Sequence, residues 1–278
     1  MESAACQFRV RTTEFSPRPI QTLTFTPEML SRPAAKGIDA VTTLHHFAII
    51  TYAVAPEVLR PLIHPRFELD CIELGGTSKA LLSVVPFEDH DFRMANFPSP
   101  RWRFGQTNYR IYVRDTQSGE RAVWFLGTTL GSWTVALPRY CWRLPWHHGR
   151  YSFSCQQDAS GRYTSFRVSA KSRWAPMELD LIHEPAQPLS FPGFPDVETG
   201  LVFLTHPLTG YYTRRDGKLG SYSIWHERLS PSVGRVRAAE FGLLDRLNIV
   251  PVAEQANPYN VLIQPKVEFL IRLPPRAL

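Results

Sequence analysis

The feature that most constrains this chain is a long succession of short β-branched and aromatic runs, each closed by a turn signal, beginning near Thr42. The runs "TLHHFAIITYAV", "ELDCIEL", "KALLSVVPF", "TNYRIYVRD", "AVWFLGTTL", "RYSFSCQQD", "RYTSFRVSA", "GYYTRR", "LGSYSIWHE", "RVRAAEFG" and "KVEFLIRL" read as strands. Several joins, "LGGT", "TQSGE", "DASGR" and "RRDGK", offer the glycine or aspartate that a tight hairpin turn needs. The sheet is therefore expected to be mostly antiparallel. Helical signals are sparse: "APEVLRPLI" opens with a proline suited to a first helical turn, and "WTVALPRYCW" reads as a short buried helix interrupted at Pro138. Roughly two or three short helices against about eleven strands predict a β-rich α+β fold or barrel.

Residues 1–38 read as an extended lead-in whose prolines prevent a long helix. The proline-rich stretch Glu184 to Asp196 reads as a loop inside one domain, residues 39–278, because strand-like sequence resumes after it unchanged. The 31 basic and 25 acidic residues are interspersed, so the net charge of +6 forms no tract that would mark a nucleic-acid surface. Apolar runs fall short of the ~20 residues a membrane helix needs. Cys6, Cys71, Cys141 and Cys155 have no metal-ligand spacing and read as reduced thiols of a cytoplasmic protein.

Strong catalytic signatures are missing: there is no GxSxG, P-loop or GxGxxG. In "TNYRIYVRD", period-2 alternation puts Asn108, Arg110, Tyr112 and Arg114 on one face and Tyr109, Ile111 and Val113 on the other. That polar face is either solvated or the lining of a barrel, where an amide and a guanidinium orient a carboxylate or carbonyl oxygen. The segment "LPRYCWRLPWHH" is unusually dense in tryptophan, arginine and histidine. Adjacent side chains diverge, so His147 and His148 do not form a metal pair of the HExxH kind. Either histidine is a candidate acid or base, or a plain hydrogen-bonded residue. His45, His46, His64, His90, His183 and His206 show no ligand-like spacing, and His226 beside Glu227 reads as a structural pair. Glu88, Asp89 and Asp91 form a small acidic cluster after a strand that could serve acid and base work or hold a cation, but they read first as a solvated turn.

The stretches "NYRIYVRDTQSGERAVWFLGTTL", "ALPRYCWRLPWHHGRYSF" and "FLTHPLTGYYTRRDGKLGSYSIWH" together resemble the YqjF-like family, domain of unknown function 2071, of the acetoacetate-decarboxylase-like superfamily. The resemblance implies a cone or barrel of mostly antiparallel strands around a central cavity, packed as a homo-oligomer. In acetoacetate decarboxylases the matching segment runs arginine, glutamate, aromatic, glycine, variable, proline, lysine, lysine, and the first lysine forms a Schiff base. Here Arg139 keeps the arginine, Tyr140 replaces the glutamate, Pro145 keeps the proline, and Trp146 and His147 replace the lysines. Neither indole nor imidazole forms an imine, so Schiff-base decarboxylation is not expected.

What the resemblance leaves is a cavity walled by Trp146, Asn108, Arg110, Tyr109 and Tyr112, taking a ligand with an apolar body and a carbonyl or carboxylate end. His147, His148 and Arg139 are its catalytic candidates, no cofactor or metal is called for, and neither nucleic acid nor membrane is an expected partner. Three readings stay open: a cofactor-independent lyase or hydrolase acting on a carbonyl or acyl substrate, a non-catalytic binder of such molecules, and, should side chains fill the cavity, a protein-interaction scaffold. An enzyme of this kind requires a histidine pointing into the cavity near an arginine. A binder places the histidines outside an apolar pocket.

Overall fold

A computed structural model describes residues 20–133 and 136–278. Its strands are β1 (Ala40–Val54), β2 (Phe67–Leu69), β3 (Ile72–Leu74), β4 (Thr77–Met94), β5 (Phe97–Asp115), β6 (Arg121–Leu130), β7 (Trp146–Gln157), β8 (Tyr163–Ser172), β9 (Met177–His183), β10 (Thr209–Thr213), β11 (Leu219–His226), β12 (Ser232–Phe241), β13 (Asn260–Ile271) and β14 (Arg276–Ala277). The helices are short: α1 (Pro27–Leu30), α2 (Pro56–Leu59), α3 (Ala136–Cys141), α4 (Val197–Thr205) and α5 (Gly242–Arg246). All strands belong to one 14-stranded sheet, antiparallel except where β6 pairs with β10 and β7.

The sheet closes on itself twice. One circuit runs β13, β1, β4, β5, β6, β10, β11 and returns to β13. The other shares β13, β1, β4, β5 and β6 but returns through β7, β8, β9 and β12. Closure removes the unpaired edges that an open sheet of this size would expose. The shared strands are buried on both faces, which is why they read as nearly unbroken apolar runs such as "ALLSVVPF" rather than alternating ones.

Two cores form on the two faces. Leu82, Val84, Tyr109, Ile111, Val113 and Trp124 point into the second circuit with Phe166, Leu179 and Leu181. Leu81, Val85, Phe87, Tyr112, Val123 and Phe125 point into the first with Leu201, Phe203 and Leu204 of α4. This is the alternation expected for "TNYRIYVRD". A bulge at His46, whose φ is +50°, resets the facing of β1 so that Leu44 before it and Phe47 after it serve the same core. The lead-in docks on α4: the Leu23 amide donates to Thr199 Oγ1 at 3.1 Å, and the Phe25 amide to Glu198 Oε1 at 3.2 Å.

Several elements differ from the sequence expectation. "PFEDHDF" is not a turn, because β4 continues through it to Met94. β9, within "MELDLIH", was not anticipated, although its alternation of buried and exposed residues is regular. α4 follows the proline-rich loop unannounced, capped by Asp196, whose side chain accepts from the Thr199 amide at 2.7 Å. α3 is not the buried helix expected: Ala136, Tyr140 and Cys141 are exposed, and Pro138 sits inside its first turn without interrupting it. Cys6 lies outside the described residues.

Candidate functional site

All seven strands of the first circuit contribute to one lumen. Thr42, Leu44 and Phe47 come from β1, Val85, Phe87 and Asp89 from β4, and Gln106, Asn108 and Arg110 from β5. The opposite wall is Val123, Phe125, Gly210, Tyr222, Ile224, Phe269 and Ile271. The wall is largely apolar, and among the described residues that line it there is no lysine. The space open to water centres is about 60 Å³. At about 10–15 Å³ per water, that is room for roughly four to six, so the lumen is small.

The polar groups form a row along β5. Asn108 Oδ1 accepts from Gln106 Nε2 at 3.0 Å and from Thr128 Oγ1 at 2.8 Å. Its amide nitrogen is thus the remaining donor. Arg110 is 8% exposed. Its Nη2 donates to the Leu204 carbonyl at 2.9 Å, near the C-terminal end of α4, and reaches Tyr112 Oη at 3.4 Å. Its Nε is buried without a partner. The guanidinium therefore rests on neutral oxygens, a poor match for a buried charge. Tyr112 stands behind it, fully buried, donating to the same carbonyl at 3.0 Å and bonded to Ser83 Oγ at 2.9 Å.

Asp89 was not expected here. It is 2% exposed, its Oδ1 accepts from Thr42 Oγ1 at 2.9 Å, and its Oδ2 is buried without a partner. Burial, reinforced by the neighbouring negative charge of Glu88 and opposed by the Thr42 hydrogen bond, pushes its carboxyl up to about 8. It is a neutral acid at pH 7. The acidic trio is thus no cluster: Glu88 pairs outward with Arg103 and His90, and Asp91, at φ +56°, pairs with Arg93 and Arg101. The signal that could have found Asp89 is parity, since Val85, Phe87 and Asp89 occupy alternate positions of one strand.

The pentapeptide Leu144–His148 divides between the two faces. Trp146 is in register with Thr128, which is in register with Asn108, so it stands on the lumen side. There it packs between the lumen core and a small cluster of Phe104 and Leu130, in the wall rather than against the open space. His147 points the other way and stacks on Trp174, ring centroids 4.1 Å apart. Burial first, then the positive charges of Arg139, Arg215 and Arg246, lower its imidazole to about 4, so it is neutral at pH 7. His148 is exposed, with its carbonyl accepting from Ser172 Oγ at 3.0 Å.

Tyr109 also lies on the far face, fully buried and edge-on to Trp174 at 5.6 Å. Arg139 belongs to α3, half-buried, its Nε without a partner. The structure thus brings Asn108 and Arg110 to the lumen and Trp146 and Tyr112 to its wall. The expectation that His147, His148, Arg139 and Tyr109 converge with them does not match the structure: the strand period turns His147 and Tyr109 to the opposite face, His148 is exposed beyond Trp146, and Arg139 is carried by α3 outside the lining. His226 is buried between the main-chain carbonyls of Thr205 and Glu227 at 2.8 and 2.7 Å, so it meets its neighbour Glu227 through the backbone.

A family model described as an uncharacterized conserved protein, domain of unknown function 2071, matches residues 41–268. No curated protein matches. Among solved structures, an acetoacetate decarboxylase from Legionella pneumophila subsp. pneumophila str. Philadelphia 1 is similar with TM-score 0.54 and 15% identity, over 90% of this chain and 94% of that one. An acetoacetate decarboxylase-like enzyme from Sphingomonas wittichii RW1 gives TM-score 0.54 and 8% identity, over 87% and 94%. The enduracididine biosynthesis enzyme MppR, complexed with pyruvate, gives 0.52 and 12%, over 91% and 94%. At such identities the likeness is one of fold: the doubly closed sheet is acetoacetate-decarboxylase-like.

Proposed function

This chain belongs to that uncharacterized conserved family, and, since the family lends it no activity, we propose from the lumen itself that the protein binds a slender carboxylic acid with an apolar body. The carboxylate meets Arg110 and the Asn108 amide, and the chain lies among Leu44, Phe47, Val85, Phe87 and Phe125. One observation carries this reading: Arg110 is buried in the lumen wall with only neutral oxygens as partners and a free Nε. A bound carboxylate supplies the missing counter-charge. That MppR is complexed with pyruvate, a small carboxylate, is consistent with such a ligand class for the fold.

The binding reading is favoured over a lyase or hydrolase built on His147 or His148, because His147 faces away from the lumen onto Trp174 and His148 is exposed to solvent and does not line it. Decarboxylation through a Schiff base is also disfavoured by a lining without lysine. Self-association remains part of the proposal, supported by Trp133, 81% exposed, and Tyr140, 61% exposed, on and beside α3; native mass spectrometry reads it directly.

The test is titration calorimetry of octanoate and decanoate against the wild type and Arg110→Met. Losing a charge-assisted hydrogen bond should weaken binding by about 10- to 100-fold. Methionine removes a buried charge and is expected to fold. Equal affinity in the variant, or no binding by the wild type, overturns the proposal.

A further inference from the structure

The lumen has a second polar end, and it differs in kind from the first. Asp89 pairs in register with Phe104, whereas Arg110 lies six residues further along β5. At a rise of about 3.3 Å per residue the two are roughly 20 Å apart along the strand. Between them lie Gln106 and Asn108, so an extended chain anchored at Arg110 runs past both toward Asp89.

The groups around Asp89 leave it one free function. Thr42 donates its hydroxyl to Oδ1, and its remaining contact is the His90 carbonyl at 3.2 Å. The charged neighbours on β4 and β5, Glu88 and Arg103, are engaged with each other outside, and His90 is bonded to Glu88 at 2.7 Å. His45 of β1 stacks on His90 at 4.0 Å, on that same outer side. On the lumen side Asp89 meets Thr42, Gln106, Phe269 and Ile271 as fellow lining residues, none of them charged. Gln106 gives its Nε2 to Asn108, which leaves its Oε1 as an acceptor.

We propose that Asp89 is a second recognition residue, a neutral carboxylic acid whose Oδ2–H donates into the lumen to an uncharged oxygen at the far end of the ligand. The inference rests on the carboxylate reading of Arg110 and names the ligand class more closely: a medium-chain acid with a hydroxyl or carbonyl at or near its ω carbon. A hydroxyl suits the site best, because it accepts from Asp89 and donates to Gln106 Oε1. A carboxylate at this end is disfavoured by the buried acceptor oxygens, and an ammonium group by the lack of an ionised partner.

The experiment compares 8-hydroxyoctanoate and 10-hydroxydecanoate with octanoate and decanoate by calorimetry at pH 6.5, on the wild type, Asp89→Asn, Asp89→Leu and Arg110→Met. The wild type should prefer the hydroxy acid of matching length by about tenfold, one net hydrogen bond. Asp89→Asn, whose amide still donates, should retain most of that preference. Asp89→Leu should lose it while keeping its affinity for the plain acid, and Arg110→Met should weaken both acids. A preference that survives Asp89→Leu, or a wild type that binds plain and hydroxy acids equally, overturns the assignment of Asp89 and leaves the carboxylate reading standing. Failure of every acid to bind the wild type overturns both. If Asp89→Leu does not fold, a preference lost in the folded Asp89→Asn variant overturns the assignment.

Discussion

Replacing Asp89 by asparagine should make the folded protein more stable at neutral pH than the wild type, by an amount that depends on pH in a stated way. In the unfolded chain an aspartate releases its proton near 3.9. In the folded protein burial holds that proton until about 8. Between those values unfolding releases a proton, so wild-type stability falls as pH rises, by about 1.4 kcal/mol per pH unit for this one group. The stability is fully present below about pH 4 and the loss is complete above about pH 8. Accumulated to pH 7 the loss is roughly 4 kcal/mol as an upper figure. Asparagine keeps an acceptor for Thr42 and a donor in place of the acid proton, and it does not titrate. Urea unfolding of both proteins from pH 5 to 8.5 checks this, because groups that titrate in both cancel in the difference. The advantage of the variant should grow by on the order of 1 kcal/mol per unit up to pH 7 and flatten above 8. A difference constant across that range would show that Asp89 ionises normally, and the argument for a neutral acid in the lumen would collapse.

Other perturbations separate the lumen from its surroundings. His147→Ala should leave lumen affinities unchanged and cost about 1 kcal/mol in unfolding free energy, the worth of its stack on Trp174; a change in affinity would return His147 to the site. Gly210→Ala should lower the melting temperature and destabilise by about 2 kcal/mol or more, since a Cβ there stands 2.2 Å from the Phe125 ring; a neutral outcome would mean that the lumen wall yields easily. Incubation with acetoacetate and borohydride should add no mass to the wild type, and a trapped adduct would restore imine chemistry. Glu88→Gln should act oppositely to Asp89→Asn. Burial raises the Glu88 carboxyl, but hydrogen bonds and charge from Arg103 and His90 hold it lower overall, so its contribution is lost as pH falls and the variant should lose least in acid.

The β-rich ring was legible because strand runs and hairpin turns are local signals, and the facing of Asn108, Arg110 and Tyr112 followed from period 2 alone. What could not be read was set by long-range pairing. Trp146 and His147 begin a strand only because β7 lies parallel to β6, and nothing near them in the chain announces that partner. Once on a strand, neighbours must part to opposite faces, so the pair aligned with the decarboxylase lysines cannot both face the lumen. Asp89 was missed for the converse reason. Its local sequence, "FEDHDF", is that of a turn, and only pairing with β1 and β5 extends β4 through it. The bulges at His46 and at Asp91, both at positive φ, are likewise invisible to a period-2 reading, although they decide which residues reach the lumen.

The separation of Arg110 and Asp89 decides whether their roles can be tested one at a time. At roughly 20 Å and an effective dielectric of about 20, two unit charges interact by about 0.8 kcal/mol. That moves a titration by about half a pH unit. Burial, acting on Asp89 alone, raises its carboxyl from 3.8 to about 8 and dwarfs this coupling. Arg110 is therefore not what keeps Asp89 protonated, and Arg110→Met should leave the pH dependence of stability nearly intact while abolishing the anion's anchor. Conversely, Asp89→Leu should leave the anchor working. The lumen then carries one positive end that demands an anion and one neutral end that demands an uncharged oxygen. A ligand satisfying only the first would bind, and one satisfying both would be distinguished from it by about a factor of ten.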